Sequence, residues 1–368
     1  MFFQRNKKRK LDLALGIDLG ANQIKAVVVR QHRDKLELVE YAVQPITTTP
    51  AKTYRGPEFA ADLQKLIDKL KTAERHAFVT ISCSSAMVCQ AEFPPVPLDE
   101  IKSALKLNSS GYLRRDFSSY YLDAFELKKG VEGAKSKSKA KAPAKGEDAT
   151  KSKDKDMVKS TVLVGGAIRE EVDACREALV AVKIKPIVIE LAAVSVINAF
   201  QVSHPEIKDE VVVLVDMGAR MTSINFLLGG MPLITRIMHF GGAQLSEYIG
   251  QVLMLKPQEA EDEKRKMSPP VQELVKTAIS PLAREIRSSI DFFERQHDLH
   301  VRRICACGGS ACSPQVLSIL GEAVGAQIEC WNLVESMDVS HLNGEREQAL
   351  VIGPSLAAAV GVAAARLS

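Results

Sequence analysis

Two short segments have the same pattern, in which an apolar strand ends in an aspartate, one apolar residue and a glycine. LALGIDLGANQIKAVVV contains Asp18 and Gly20, and VVVLVDMGARMTSINFL contains Asp216 and Gly218. Backbone N–H groups at such turns can hold phosphate oxygens, and glycine allows close approach of a ligand to the chain. Two carboxylates that face each other across a polyphosphate suit Mg²⁺, which takes few protein ligands directly. A single Asp-x-Gly is ordinary turn chemistry, but two copies at matching positions predict a phosphate site.

A third segment places glycines in front of a helix near the C-terminus. Residues 303–306 have the pattern of a short strand that runs into Cys307-Gly308-Gly309-Ser310, and a helix is predicted over 314–324. Glycines before a helix N-terminus let a flat ring approach the backbone, which suits adenine. Lys25, in the first hairpin, either adds positive charge near the phosphates or simply faces solvent.

The elements that must position these segments alternate between strands and helices. Residues 11–30 predict strand, turn and strand, residues 36–44 a third strand, and residues 57–71 a helix. Residues 211–228 repeat the opening hairpin. Residues 128–159 consist almost entirely of Lys, Ser, Ala, Gly, Asp, Glu and Pro, so they predict a disordered loop, inserted between strands over 120–127 and 160–168.

Length and composition predict two soluble lobes with a cleft between them. The chain has 368 residues, 46% of them apolar, and a net charge of +4 that is too small to indicate a specific nucleic-acid partner. Seven scattered cysteines indicate reduced, buried thiols. No stretch resembles a secretory signal or a transmembrane segment, so we expect a cytoplasmic protein.

The order of these motifs resembles the actin, chaperone-ATPase and sugar-kinase superfamily, and within it the PilM family of type IV pilus assembly and its relative FtsA. RIMHFGGAQ at 236–244 is similar to their R-x-I-x-x-GG segment, and Ala260, Glu261 and Lys264 match their A-E-x-x-K. REIRSSIDFF, the closing GPSLAAAVGVAAARL, and FPPVPLDEIKSALKL in the inserted subdomain are also similar.

The resemblance implies an α/β actin-like ATPase fold, with two lobes of duplicated mixed-sheet subdomains around a nucleotide cleft and an FtsA/PilM-type inserted subdomain. The expected boundaries are 11–92 for the first lobe core, 93–185 for the inserted subdomain, 186–204 for the interlobe connection, 205–255 and 301–350 for the second lobe core, 256–300 for a helical nucleoside-side subdomain, and 351–368 for a closing helix.

The same resemblance implies ATP and Mg²⁺ as cofactors. Asp18 and Asp216 are the expected metal-side carboxylates, acting on Mg²⁺ through water, and Glu190 is the third candidate catalytic residue. The expected nucleotide-binding residues are Gly20, Ala21, Asn22, Gln23, Lys25, Gly218, Ala219, Arg220, Met221, Thr222, Gly241, Gly242, Glu261, Lys264, Gly308, Gly309 and Ser310.

In function, the resemblance implies a cytoplasmic scaffold that binds ATP and recruits the N-terminal cytoplasmic tail of a PilN-like inner-membrane protein, with other pilus platform proteins as further partners. Through these partners the scaffold would associate peripherally with the inner membrane. The tail groove would lie on the first lobe and the inserted subdomain, roughly over 93–168. A type II secretion system uses a related arrangement, so both machines stay open.

The sequence departs from the PilM pattern at two places. Ala21, Asn22 and Gln23 stand where the family usually has Ser or Thr, so backbone contacts survive and hydroxyl contacts do not. Ala192 stands where the family usually has an acid, and Glu190 could substitute only by a shift of the strand end. If that acid orients the attacking water, hydrolysis is slow or absent.

Two rival functions use the same fold. A sugar-type kinase would need a general base and a sugar pocket, and CACGGSAC, with Cys305, Cys307 and Cys312, imitates a zinc motif of such kinases. We expect small buried thiols there instead of zinc. An FtsA-like filament protein would carry a C-terminal amphipathic membrane helix after a linker, and the sequence has no such segment.

Overall fold

The computed structural model describes residues 12–32, 35–47, 54–128, 159–342 and 344–367. The interior of the predicted loop, 129–158, lies outside the described residues. The strands are β1 Leu13–Leu19, β2 Gln23–His32, β3 Lys35–Pro45, β4 His76–Ile81, β5 Met87–Phe93, β6 Tyr120–Lys128, β7 Ser160–Ile168, β8 Lys185–Leu191, β9 Val211–Met217, β10 Thr222–Leu228, β11 Met231–Met238, β12 Arg303–Cys307 and β13 Glu329–Cys330. The helices are α1 Gly56–Lys69, α2 Leu98–Leu107, α3 Ser109–Leu113, α4 Arg169–Ala181, α5 Ala192–Ser203, α6 Gly242–Leu253, α7 Pro257–Lys266, α8 Pro269–His297, α9 Pro314–Val324 and α10 Arg346–Ala364.

The first sheet has the strand order β3-β2-β1-β4-β8. β1 and β2 form an antiparallel hairpin, whereas β1, β4 and β8 run parallel. Almost every residue of β1 is buried, because the central strands of such a sheet are covered on both faces. This sheet and the helices that pack on it are called the first lobe below.

The second sheet repeats this arrangement in the order β11-β10-β9-β12-β13. β9 and β10 form the second antiparallel hairpin, and β12 runs parallel to β9. The sequence repeat therefore corresponds to a structural repeat, with Asp18 and Asp216 near the carboxyl ends of equivalent strands. This sheet and α6–α9 are called the second lobe.

A third, antiparallel sheet of order β5-β7-β6 forms the inserted subdomain, with Ile101 and Leu105 of α2 in its core. The packing favours other limits for the inserted subdomain than the expected 93 and 185. β5 begins at Met87, and Cys175 and Leu179 of α4 lie in the first-lobe core because the apolar face of α4 covers that sheet. We propose an inserted subdomain over 87–168 in place of 93–185.

Two apolar helices, α5 and α10, connect the lobes and pack against each other in one shared core. α10 begins at Arg346, five residues before the expected closing helix, and within the described residues it alone is long and apolar enough to cross a membrane by composition. Two thirds of its most apolar window are buried inside the fold, and the core helix of a globular protein has the same composition.

Candidate nucleotide site

The first hairpin turn carries a buried ion pair. Lys25 Nζ donates a hydrogen bond of 2.9 Å to Asp18 Oδ2, because residues 18 and 25 are paired across β1 and β2. Burial lowers the pKa of the Lys25 ammonium, but the carboxylates of Asp18 and Asp216 outweigh it and the pKa is raised. Lys25 is thus paired with Asp18 and is not a solvent-facing strand lysine. Asp18 Oδ1 is buried and has no hydrogen-bond partner in the described structure.

The second hairpin places Asp216 close to this pair. Burial, followed by repulsion from Asp18, raises the pKa of Asp216 to about 7, and Lys25 opposes that rise. The thiol of Cys307 lies 3.9 Å from Asp216 Oδ1. Two carboxylates and one ammonium therefore lie together in a largely buried place, where like charges are costly unless a further cation is present.

The Gly241-Gly242 segment packs directly on the second turn. The backbone N–H of Gly242 donates to Gly218 O at 3.0 Å, and that of Ala243 donates to Ala219 O at 2.7 Å. A Cβ on Gly241 would collide with the carbonyl of Gly218, so this position requires glycine. The N-terminus of α6 therefore lies against the second phosphate-type turn.

The third segment also meets the second turn. Gly308 has φ +89°, which favours glycine, and a Cβ there would lie 2.5 Å from Asp216 Oδ1 and 2.6 Å from Met217 O. Its N–H donates to Pro354 O of α10 at 2.8 Å. A Cβ on Gly309, in contrast, would have no heavy atom within 4 Å. Gly309 thus borders open space beside the second turn.

The predicted nucleoside-side residues form one hydrogen-bonded group. Lys264 Nζ lies 2.6 Å from Glu261 Oε2, 2.8 Å from Ser246 Oγ and 3.0 Å from Gly242 O. Burial raises the pKa of Glu261, but the hydrogen bonds that Lys264 and Ser246 donate to it outweigh burial, and the pKa is lowered. A Cβ on Gly242 would lie 2.6 Å from Ser310 Oγ, so Ser310 of the third segment borders the same group. Ser246 was not predicted, because a serine inside a helix gives no sequence signal.

The remaining predicted residues lie in the two turns. Gly20, Ala21 and Asn22 connect β1 to β2, which begins at Gln23, and the Asn22 carbonyl accepts from Ile46 N–H at 2.9 Å. In the second turn the backbone of Gly218 and Met221 is joined by a 3.0 Å hydrogen bond. Arg220 pairs with Glu247 at 3.4 Å, and the buried Thr222 hydroxyl donates to Phe240 O at 2.7 Å.

Glu190 of β8 and Asp18 of β1 are both paired with Thr80 of β4. The two carboxylates therefore lie at the same level, near the carboxyl ends of these parallel strands. Glu190 Oε1 accepts hydrogen bonds from Ser195 Oγ at 2.8 Å and Asn198 Nδ2 at 2.9 Å. Burial raises the pKa of Glu190 to about 7, despite the Ser195 bond and the nearby Arg366 guanidinium. These hydrogen bonds already engage the Glu190 carboxylate. The role of Glu190 in orienting water stays a prediction.

The cysteines of CACGGSAC lie in and after β12. Cys305 and Cys307 are buried and Cys312 is half-buried, and burial raises the pKa of all three thiols. Among the described residues, no group of three or more His, Cys, Asp or Glu side chains has a metal-holding arrangement. The zinc alternative therefore gains no support. Only Cys330 of the seven free thiols is exposed.

Residues 148–367, more than half of the sequence, match the family described as Type IV pilus assembly protein PilM. The chain belongs to the PilM family. The PilM-family chain is also similar to the solved structure described as "PilM-PilN type IV pilus biogenesis complex", with a TM-score of 0.79 and 24% identity over 98% of this chain and 100% of that one. Its similarity to the ethanolamine utilization protein EutJ from Carboxydothermus hydrogenoformans has a TM-score of 0.54 and 14% identity over 98% and 91%.

These matches confirm the predicted family and the predicted actin-like ATPase fold class. They favour neither the sugar-kinase alternative nor the FtsA-like filament alternative. The order of three glycine segments was specific enough to identify the fold, although each segment alone was not.

Proposed function

We propose that this PilM-family chain is a cytoplasmic scaffold of a type IV pilus assembly platform that binds ATP with Mg²⁺ between its lobes. The observation that carries the proposal is the convergence of both Asp-x-Gly turns and the third glycine segment. Gly308 of the third segment and Gly241 both pack against the second turn. Lys25 of the first hairpin is close to Asp216 of the second hairpin.

The carboxylates fit a divalent cation. A buried carboxylate oxygen without a partner is unusual, and Asp18 Oδ1 is such an oxygen. Mg²⁺ would supply positive charge that neutralises both the phosphates and the carboxylates, and it would bring water ligands to Asp18 and Asp216. Lys25 would add a second positive charge, and backbone N–H groups of both turns, at 20–23 and 218–222, would hold phosphate oxygens.

The adenosine would lie between the second turn and α7. Gly308 and Gly309 would let the ring approach the backbone, and the open space beside Gly309 supports this placement. Glu261 supplies an acceptor and Lys264 a donor for the nucleoside, and their mutual 2.6 Å contact keeps both side chains in place without ligand. Preorganisation of this kind reduces the entropy that binding costs.

Hydrolysis would be slow or absent, so ATP would act as a clamp on the lobe arrangement. Ala192 has no group that could orient water, and Glu190 is engaged by Ser195 and Asn198. The effect of the clamp on any partner is limited by the difference in ATP affinity between the two lobe arrangements. Rapid phosphate release by the purified protein would contradict this part of the proposal.

The partner would be the N-terminal cytoplasmic tail of a PilN-like inner-membrane protein, which would hold the scaffold at the membrane. The similar solved structure is a complex of PilM with PilN. A cavity of about 790 Å³ between α1 and α4 is large enough for a peptide segment. Asp173 and Glu177 line it with acidic groups that suit a basic residue. Glu170 also lines it but is already paired with Arg55 of the same wall at 2.6 Å. The cavity lies beside the predicted groove range, 93–168, and not within it.

A matched pair of variants tests the tail site. Ala181 lines this cavity, whereas the neighbouring Val180 is exposed and does not. We expect Ala181→Arg to weaken binding of a fluorescent PilN-tail peptide about tenfold or more, because the new side chain fills the cavity, and Val180→Arg to leave it unchanged. Anisotropy titration measures both. Equal affinity of the two variants would show that the tail binds elsewhere.

A further inference from the structure

A second cavity, of about 310 Å³, lies where the two lobes and the inserted subdomain meet. Ile197 of α5, Met231 at the tip of β10–β11, Phe125 and Leu163 of the inserted sheet, and Arg366 after α10 line it. We call it the hinge cavity. Its volume is at the lower end of the range of small-molecule sites, about 300 to 1,000 Å³.

Arg366 is the unusual residue of the hinge cavity. Its side chain is only 9% exposed, yet among the described residues its nearest charged partner is Glu190 Oε2, 3.9 Å from Arg366 Nη2. That distance is too long for a hydrogen bond. Arg366 Nε is also buried and without a partner in the described part of the chain. Buried guanidinium groups are normally paired, often with two parallel N–H bonds to one carboxylate.

Glu190 does not meet this need because other donors hold it. Ser195 and Asn198 both donate to its Oε1 from α5. Glu190 can also lose its charge near neutral pH, since burial raises its pKa to about 7. A second carboxylate could therefore approach Arg366 without placing two negative charges side by side.

The rest of the wall is mainly apolar. Leu163, Val194 and Ile197 present hydrocarbon to the cavity, whereas the charged groups lie together at Arg366 and Glu190. A ligand that satisfies both parts has one anionic end and an apolar body. We propose that the hinge cavity binds a small monocarboxylate, with its carboxylate on the Arg366 guanidinium and its hydrocarbon against Leu163, Val194 and Ile197.

The hinge cavity shares Glu190, the predicted catalytic residue, with the proposed ATP site, but Arg366 and the apolar wall are not among the proposed ATP-binding residues. Because both lobes and the inserted subdomain line the cavity, a bound monocarboxylate would favour one lobe arrangement. If ATP favours the same arrangement, each ligand increases the affinity of the other by the same factor.

Octanoate and octanamide are the probes, because they differ in charge and share the same hydrocarbon chain. We expect calorimetry to show octanoate binding to the full-length protein at one site, about tenfold or more tighter than octanamide, as a hydrogen bond to a charged group implies. Arg366→Gln should abolish that preference. Arg346→Gln, the same change at the exposed start of α10, should preserve it.

Arg366→Gln also leaves the ionised Glu190 without its countercharge, so the fold itself needs a control. The double variant Glu190→Gln with Arg366→Gln is neutral at both positions and should lose octanoate selectivity in the same way. Equal affinity for octanoate and octanamide in the wild-type protein, or octanoate selectivity that persists in the folded double variant, would overturn the proposal.

Discussion

Replacing Glu190 by glutamine should stabilise the protein at alkaline pH and not at acidic pH. The carboxyl is fully buried, and burial raises its pKa from an ordinary 4.5 to about 7. A carboxyl whose pKa is raised by folding is charged at a cost in the native state, so wild-type stability falls as pH increases from about 4.5 to about 7. At about 1.36 kcal/mol per pKa unit, the loss is about 3 kcal/mol. Glutamine keeps the shape and has no such loss.

Urea unfolding at pH 5 and pH 8 measures this difference directly. We expect Glu190→Gln to match the wild-type protein at pH 5 and to exceed its free energy of unfolding by about 3 kcal/mol at pH 8. Glu347→Gln, an exposed change on α10, should differ from the wild type by no more than about 0.5 kcal/mol at either pH. A Glu190→Gln protein that is less stable than the wild type at pH 8 would refute the reasoning, because the Arg366 ion pair would then outweigh burial.

Two further predictions concern the nucleotide site. Gly308→Ala should destabilise the protein by about 1 to 3 kcal/mol and weaken ATP binding, because Gly308 has a left-handed φ and a Cβ there would clash with Asp216. Gly309→Ala, whose Cβ would meet no atom, should change the free energy of unfolding little. Urea unfolding distinguishes the two variants, and equal stability would contradict the packing described. Mg²⁺-dependent ATP affinity should increase from pH 6 to pH 8, because the raised pKa of Asp216 leaves much of this carboxyl protonated at the lower pH. Calorimetry of Asp216→Asn should show no such increase, and an increase as large as in the wild type would exclude Asp216 as its source.

The strands, helices and glycine segments were largely predictable because their signals are local. The two Asp-x-Gly hairpins and the helix after Ser310 each depend on a few neighbouring residues. The start of the inserted subdomain was harder to predict from the sequence. β5 and α4 have ordinary strand and helix patterns, and only packing decides which sheet or core each joins.

The charged interior was not predictable from sequence. Lys25 is in a strand where either face could be exposed, and its burial depends on the cross-strand pairing with Asp18. Glu190 and Arg366 come from distant parts of the chain, and the fold brings them together only because α10 returns to the first lobe beside α5. Pairings of this kind depend on tertiary structure, for which propensity and periodicity give no information.

The most direct test of the account is a calorimetric titration of ATP with Mg²⁺ into the wild-type protein and into the Asp18→Ala, Asp216→Ala double variant, with phosphate release followed in parallel. We expect saturable binding to one site in the wild type, no binding in the folded double variant, and little phosphate release. Wild-type protein that fails to bind, or a double variant that binds as well as the wild type, would contradict a nucleotide site between the two hairpins.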